Sequence, residues 1–344
     1  MKILIIRRDN IGDLICTTPL FKAIRRQFPD AYVAALVNSY NAPAIAGNPY
    51  LNEIFAYTKG KHAEDESVLG AHWRRIRMMW RLRRERFDYV ILPSNGFASR
   101  ALRLARFLCP GRIIGFSDDG VAHGLDLPIS HGDGATLHET EDIFRLLAPL
   151  GIKAPIPGLT VVPDIGIKAR LRAGLPDAVV AGKGPLVALH ISARKEKQRW
   201  SVERFAALAA LLHTRHDARF LVFWSPGDEN NPFHPGDDGK AAHLMAALAP
   251  YPAAAVRTEA LAELIAGLSL CDAAVLSDGG AMHVAAGLGK PIVCLFGNSS
   301  AKRWHPWGVP HVVLQKPSAI VEDISAAEAA EAFSTLFTPP QPTA

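Results

Sequence analysis

A carboxylate follows the first apolar run of the chain, where a strand would turn into a helix. Lys2–Arg7 is predicted as a buried strand, and Gly12 and Asp13 come shortly after it. A carboxylate at the end of a strand is suited to act as a general base that takes a proton from an attacking hydroxyl. A carboxylate that only caps the helix by accepting amide hydrogen bonds would occupy the same place. Spacing alone favours the cap, and both interpretations of Asp13 stay open.

A second group of residues could bind a diphosphate. Residues 192–200, SARKEKQRW, place Ser192 and four cations between an apolar run and a predicted helix. Cations in such a loop, here including Lys197 and Arg199, can neutralise phosphate through charge-assisted hydrogen bonds. A solvated basic loop without a ligand explains the pattern equally well.

A third group lies in the segment LSDGGAMHVAA at 276–286. An apolar run ends at Asp278, Gly279 and Gly280 let a ligand approach the backbone, and a predicted helix begins with His283 in its first turn. The amides and the dipole of a helix N-terminus attract phosphate. A tight turn with a buried histidine would use the same residues, so the pattern favours an anion site only slightly.

A pair of acids, Asp228 and Glu229, comes after the apolar run that ends at Trp224. Their carboxylates could bond ribose hydroxyls, although acids in surface turns are the more common case. The chain lacks the dinucleotide fingerprint GxGxxG, which argues against a nicotinamide oxidoreductase.

These loops must be positioned by strands, because short apolar runs alternate with amphipathic stretches in the manner of βαβ units and parallel sheets. Predicted strands cover 2–7, 32–37, 88–93, 112–116, 185–191, 218–224, 272–277 and 291–296. Predicted helices cover 13–27, 72–86, 98–107, 137–150, 202–213, 240–248, 261–269, 281–288 and 325–337. One short amphipathic piece covers 165–174.

A domain boundary is predicted where prolines and glycines accumulate, between 151 and 184. The α/β chain then consists of two Rossmann-like domains, 1–165 and 166–344, that face each other across a cleft. Ligands in such folds lie beyond the carboxyl ends of the strands. The last predicted helix, near 325–337, would close the second domain and could pack back on the first.

The charge of the 344-residue chain is unevenly distributed. The net charge is +5, yet residues 72–106 alone contain ten arginines against Glu85 and Asp88. A helix there could rest on anionic lipid or meet a phosphorylated acceptor. The favoured interpretation is a Rossmann helix whose apolar residues Trp73, Ile76, Trp80 and Phe87 lie on the sheet. Nucleic acid is not expected as a partner, because no recognition motif accompanies the charge.

The four cysteines are far apart, without metal-ligand spacing, and are expected to be reduced in the cytoplasm. No stretch reaches the ~18 apolar residues of a membrane span, and none resembles a signal peptide.

Taken in order, three segments resemble the bacterial heptosyltransferase family, glycosyltransferase family 9. They are KILIIRRDNIGDLICTTPLFKAIRRQFPDA, RERFDYVILPSNGFASRALRLA and DAAVLSDGGAMHVAAGLGKPIVCLFGNSS. The resemblance covers nearly the whole chain and implies a GT-B fold, with an acceptor-binding first domain and a donor-binding second domain. It also implies a nucleotide-diphospho-heptose donor, usually ADP-heptose, and neither a metal nor another cofactor.

The same resemblance assigns roles to residues. Asp13 would be the catalytic base of an inverting transfer, and the turn with Asp278, Gly279, Gly280 and His283 would hold the donor. The diphosphate would meet Ser192, Lys197 and Arg199, with Gln198 standing where the family usually has a lysine. The acceptor would be a lipopolysaccharide core or a related envelope glycan, reached from the cytoplasm with peripheral contact to the inner membrane. Transfer of a different nucleotide sugar and a non-catalytic binding protein are the alternatives.

Overall fold

The chain forms two compact units, Met1–Val161 and Val162–Ala344. The computed structural model describes residues 1–57, 68–118, 121–132, 136–228 and 236–337. Each unit contains a parallel sheet with helices, so the predicted two-domain α/β fold is confirmed. The units separate four residues before the position 165/166 that the sequence suggested.

The first unit is built on a six-stranded sheet of order β3-β2-β1-β4-β5-β6, and every pair of neighbours is parallel. Its strands are β1 (Lys2–Ile6), β2 (Tyr32–Asn38), β3 (Glu53–Tyr57), β4 (Tyr89–Leu92), β5 (Arg112–Ser117) and β6 (Leu127–Ser130). Its described α-helices are α1 (Ile11–Cys16), α2 (Thr18–Gln27), α3 (Val68–Arg84), α4 (Ser99–Leu108) and α5 (Glu139–Phe144).

The second unit repeats this plan with the order β12-β11-β10-β7-β8-β9, again parallel throughout. Its strands are β7 (Leu186–His190), β8 (Arg219–Trp224), β9 (Ala253–Arg257), β10 (Ala273–Ser277), β11 (Ile292–Phe296) and β12 (His311–Gln315). Its described α-helices are α6 (Ile165–Ala173), α7 (Asp177–Val180), α8 (Val202–His216), α9 (Asp238–Ala247), α10 (Leu261–Leu270), α11 (Gly280–Gly287), α12 (Ala301–Trp304) and α13 (Ala326–Phe337).

The central strands are continuous apolar runs because helices cover both of their faces. In β1, Leu4 and Ile6 contact the cluster that contains Leu82 of α3 and Leu102 of α4. Since side chains alternate along a strand, Ile3 and Ile5 point to the opposite face, and they are buried as well. This layering fixes the strand ends, and with them the loops that follow each strand.

The predicted helix 13–27 is interrupted at Thr17, where α1 ends and α2 begins. Pro19 has no amide hydrogen with which to bond the carbonyl of Ile15. The Thr18 hydroxyl donates to that carbonyl instead, at 2.7 Å. The break leaves α1 as a short helix that carries Asp13.

The closing helix α13 packs within the second unit. Ala329 and Phe333 lie in the same apolar cluster as Phe205 of α8 and Leu295 of β11. The prediction that this helix closes the second domain agrees with that packing. The small alanines allow α13 to approach the sheet closely, which stabilises the domain to which it belongs.

The prediction that four apolar residues of the 72–87 segment lie on the sheet is wrong for three of them. Phe87 is buried, but Trp73, Ile76 and Trp80 are exposed. The helix instead turns Leu82, with the partly buried Met78 and Met79 beside it, toward the sheet. Among the described residues, no helix is long and apolar enough to cross a bilayer.

Candidate active site

Asp13 lies in the loop-to-helix turn that follows β1, at the carboxyl edge of the first sheet. Asn10 is the N-cap of α1, and Asp13 is the third residue of that helix. The Asp13 Oδ2 atom accepts hydrogen bonds from the Asn10 amide at 3.1 Å and from Asn10 Nδ2 at 2.9 Å. The capping interpretation of Asp13 is therefore confirmed for one of its two oxygens.

A buried arginine holds the other oxygen. Arg7 Nη2 donates to Asp13 Oδ1 at 2.9 Å and to Glu139 Oε1 at 2.8 Å, and Arg7 Nε lies 3.0 Å from Asp9 Oδ2. Burial by itself would lower the pKa of Arg7, but the three carboxylates outweigh it and raise the pKa above its ordinary value. Arg7 is therefore a permanent cation that fixes the Asp13 carboxylate.

This arrangement leaves Asp13 able to accept one more proton donor. A carboxylate offers about four acceptor positions, and the three hydrogen bonds from Arg7 and Asn10 occupy three of them. The Asp13 side chain is 13% exposed, whereas Glu139 is fully buried. Of these two carboxylates, Asp13 is the one that a hydroxyl can reach.

Asp278, at the end of β10, is held by two residues from other loops. Its Oδ2 atom accepts from Ser299 Oγ at 2.6 Å and from Gln198 Nε2 at 3.1 Å. The Gln198 loop can approach because residue 297 is glycine: a Cβ atom at Gly297 would lie 2.6 Å from the Lys197 carbonyl oxygen. The structure thus brings Asp278, Gln198 and Ser299 together at one edge of the second sheet.

The turn after Asp278 is open on the side of Gly279. A Cβ atom built there meets no heavy atom within 4 Å, and Gly280 begins α11. The first amides of a helix have no acceptor within that helix, so they are suited to an anion. His283 is 3% exposed, and its ring packs edge-on against Trp304 at a centroid distance of 6.0 Å.

Ser192 lies at the same edge of the sheet as this turn and bonds to protein groups. It comes two residues after β7, the strand that pairs with β10, and parallel strands end at one edge of a sheet. The Ser192 hydroxyl donates to Asp237 Oδ2 at 2.5 Å and accepts from the Ser225 amide at 2.8 Å. In the structure, Ser192 therefore ties the loops after β7 and β8 together.

The predicted phosphate cations occupy different environments. Lys197 is exposed, while Arg199 is half-buried and donates from Nε to the Ala193 carbonyl at 3.1 Å. Asp228 is exposed in the loop after β8, and Glu229 lies outside the described residues. Within the described ranges, His, Cys, Asp and Glu side chains form no cluster of three or more that could hold a metal ion.

A lysine that the sequence did not single out reinforces the loop at Ser192. Lys240 Nζ donates to the carbonyls of Ile191 at 2.9 Å and Trp200 at 2.7 Å. Burial lowers the pKa of Lys240, although the nearby Asp237 opposes the shift. Sequence reasoning also missed Arg7 and Glu139 as site residues, because these two partners are 132 residues apart along the chain.

Residues 75–326 match the family model for glycosyltransferase family 9 (heptosyltransferase). The chain belongs to this family. It is therefore a glycosyltransferase, and the predicted family and enzyme class are confirmed.

Individual relatives of this family 9 glycosyltransferase agree with the assignment. It is 23% identical to lipopolysaccharide heptosyltransferase 3 of Escherichia coli, over 86% of the chain and 83% of that protein. It is 24% identical to lipooligosaccharide heptosyltransferase 2 of Haemophilus influenzae, over 89% of the chain and 86% of that protein. The solved structure of E. coli ADP-heptose lps heptosyltransferase II shares the fold, with a TM-score of 0.77 at 19% identity and 98% coverage of both chains.

The free energy of unfolding of this glycosyltransferase should depend on the ion cluster around Arg7. Removing one partner of a buried ion pair leaves uncompensated charge and costs about 3–5 kcal/mol. We expect Arg7→Met to lower the free energy of unfolding by about that amount, because Glu139 and Asp13 lose their common cation. Urea denaturation measures the change. Arg26→Met, at an exposed position on α2, should change stability by less than about 0.5 kcal/mol, and an equal loss in both variants would contradict the role of Arg7.

His190, at the end of β7, makes the stability of the second unit pH-dependent. Burial lowers the pKa of His190 to about 4, although the Asp237 carboxylate opposes the shift. Between pH 6.5 and 4, His190 is therefore protonated in the unfolded chain but neutral in the folded chain. The free energy of unfolding consequently falls as pH falls. Above pH 6.5 His190 is neutral in both states, so its contribution to the free energy of unfolding is retained in full.

Denaturation of the wild type and His190→Gln at a series of pH values measures this effect. The wild type should lose more stability than the variant on acidification, by at most about 1.4 kcal/mol per pH unit. His243→Gln, at an exposed position on α9, should follow the wild-type curve. If His190→Gln also followed that curve, His190 would not be the group responsible.

Proposed function

We propose that this glycosyltransferase moves a heptose from ADP-heptose to a lipopolysaccharide core or a related envelope glycan, with inversion at the anomeric carbon and without a metal. The observation that carries the proposal is the Asp13 carboxylate at the carboxyl edge of β1, fixed by Arg7 and Asn10 and still able to accept one proton. A positioned carboxylate of this kind is what direct attack by an acceptor hydroxyl requires.

The proposed reaction is a single displacement. The acceptor hydroxyl gives its proton to Asp13 as its oxygen forms a bond to the anomeric carbon of the donor sugar. The bond between that carbon and the diphosphate breaks on the opposite side, and ADP departs with the bonding electrons. Attack from the side opposite the leaving group inverts the configuration. The charge on Arg7 keeps the carboxylate oriented while the proton moves.

We assign donor binding to the second unit. Gly279 and the first turn of α11 would meet the diphosphate, supported by the open space beside Gly279. Lys197 and Arg199 lie in the loop packed against Gly297 and would add positive charge where the leaving group develops negative charge. Ser192 and His283 would contact the donor only after local rearrangement or through their neighbours, because both pack against protein groups. The exposed Asp228 and Glu229 would bond the ribose hydroxyls.

The proposed donor site has the neutral Gln198 at the position where related sites usually have a lysine. The Gln198 amide bonds Asp278 and Ser299 at 3.1 and 3.2 Å, and it brings no charge of its own. Neutralisation of the diphosphate therefore falls to Lys197, Arg199 and backbone amides. Charge from these groups is the physical basis for proposing a transfer that needs no metal.

The acceptor assignment rests on the names of the relatives, which act on lipopolysaccharide or lipooligosaccharide. It also rests on a cavity of about 340 Å³ in the first unit. Its lining combines apolar groups with four arginines: Phe55, Ala56, Tyr57, Arg74, Arg75, Arg77, Met78 and Arg81. Such a lining suits a negatively charged acceptor, because arginine binds phosphate and carboxylate groups strongly.

A nucleotide-sugar donor is water-soluble, whereas a lipopolysaccharide precursor is held in a membrane by its lipid. We therefore propose that the protein works in the cytoplasm, in peripheral contact with the inner membrane.

Replacing the proposed base tests the mechanism. Asp13→Asn keeps the size and the capping acceptor but removes the basic oxygen, so transfer should fall by about a hundredfold or more. Donor affinity should stay near that of the wild type. The measurement is turnover with ADP-heptose and extracted glycolipid, together with donor binding by calorimetry. Asp30→Asn, at an exposed position in the same unit, should transfer at the wild-type rate; substantial turnover by Asp13→Asn would exclude Asp13 as the base.

Calorimetry with ADP-, GDP- and UDP-sugars tests the donor. We expect ADP-heptose to bind most tightly. Asp278→Ala should weaken its binding by about tenfold or more, because Gln198 and Ser299 lose the acceptor that holds them in place. Asp323→Ala, at an exposed position in the second unit, is the matched control. If a GDP- or UDP-sugar bound more tightly, the proposed donor would be wrong, but the proposed role of Asp13 would stand.

A further inference from the structure

Four large apolar side chains of the first unit lie exposed along two adjacent helices. Trp73, Ile76 and Trp80 of α3 are 64%, 37% and 52% exposed, and Phe107 of α4 is 41% exposed. Residues three and four apart share one side of a helix, so the α3 members form a line that Phe107 extends. We call these four residues the aromatic strip.

The aromatic strip is not needed to bury α3 against the sheet. Leu82 is fully buried in the core, with Met78 and Met79 packed beside it. These three side chains occupy the face of α3 opposite the strip, and they supply its contact with the sheet. The exposed tryptophans are thus surplus apolar surface, and contiguous patches of that kind mark interaction sites.

The strip is held in a fixed shape. The rings of Trp80 and Phe107 pack edge to face at a centroid distance of 6.2 Å. Arg83 donates from Nη1 to the Phe107 carbonyl, and its guanidinium lies 5.3 Å from the Phe107 ring. Because α3 and α4 are joined in this way, the surface exists before any partner binds.

Exposed arginines border the strip. Arg77 and Arg84 come four residues after Trp73 and Trp80, on the same side of α3. Arg103 and Arg106 are exposed on α4, near Phe107. Tryptophan prefers the headgroup region of a bilayer, and arginine can place its stem among apolar groups while its charge stays at the phosphates. The combination is complementary to an anionic lipid surface.

We propose that the aromatic strip and its bordering arginines dock the protein on the anionic face of a lipid bilayer. The proposal deepens the proposed function, since it names the surface that would bring the enzyme to a membrane-held acceptor. A second copy of the chain fits less well. In a two-fold dimer the same patch meets itself, so the arginines of both copies would repel each other.

Helix α3, which carries the strip, contacts Tyr57, and Tyr57 contacts the loop that leads to Asp13. Arg75 of α3 lies 5.5 Å from the Tyr57 ring, and Arg8 Nη1 donates to the Tyr57 hydroxyl at 3.1 Å. Arg8 belongs to the loop that leads to Asp13. A bilayer bound at α3 would therefore lie near the edge of the sheet that carries the proposed base.

Vesicle sedimentation without donor or acceptor tests the docking separately from catalysis. The wild type should bind vesicles made of equal parts phosphatidylcholine and phosphatidylglycerol, and should bind pure phosphatidylcholine at least about tenfold more weakly. Trp73→Ser with Trp80→Ser should weaken binding to the anionic vesicles by about tenfold or more, as should Arg77→Gln with Arg84→Gln. Ile165→Ser, which removes the 84% exposed Ile165 of the second unit, should bind like the wild type.

Quenching of tryptophan fluorescence by brominated lipid identifies the inserted side chains. The wild type should be quenched in anionic vesicles, and Trp73→Phe with Trp80→Phe should lose that quenching while still sedimenting. Unchanged thermal midpoints keep the variants comparable. Wild-type sedimentation by the serine variant would overturn the proposal. Light scattering that showed a wild-type dimer and a monomeric serine variant would also overturn it, because the strip would then be covered by a second copy. Failure of heptose transfer would not affect these readouts.

Discussion

The parallel direction of every strand pair is the constraint on which the functional geometry depends. In a parallel sheet all carboxyl ends emerge at one edge, so the loops that follow different strands become neighbours. In the second unit this edge joins the loops after β7, β10 and β11, which meet in the hydrogen bonds among Gln198, Asp278 and Ser299. In the first unit it places the Asp13 turn directly after β1. An antiparallel arrangement would send half of these loops to the opposite edge.

The two units solve the problem of placing charge in different ways. In the first, one buried guanidinium forms ion pairs with three carboxylates. Moving Arg7 would leave the buried Glu139 without a counterion, so Arg7 stays in place and fixes the orientation of Asp13. In the second, the Asp278 carboxylate is satisfied by a neutral amide and a hydroxyl. Neither of these two partners carries a positive charge. Nearby cations and helix amides are therefore essential to the proposed donor site.

Much of the fold could be predicted, since buried central strands are continuous apolar runs. The four strands that the sequence analysis missed, β3, β6, β9 and β12, are the edge strands of the two sheets. An edge strand has one neighbour and partial solvent contact, so its sequence mixes polar and apolar residues; β6 reads LPIS and alternates between half-buried and exposed. The preferred interpretation, in which Trp73 and Trp80 lie on the sheet, was wrong because these side chains are exposed. Helical periodicity identifies a stripe, but not the direction in which it faces.

The sequence by itself determined the alternating elements, the two-domain architecture, the family and the turns that carry Asp13 and Asp278, because these are encoded by local order and short-range spacing. Only the tertiary structure decided which groups those carboxylates bond. Arg7 and Glu139 are 132 residues apart in the chain, and Gln198 and Ser299 are 101 apart. Such pairings result from the stacking of strands and helices, and a side chain's contacts depend on distances in space that residue spacing does not contain.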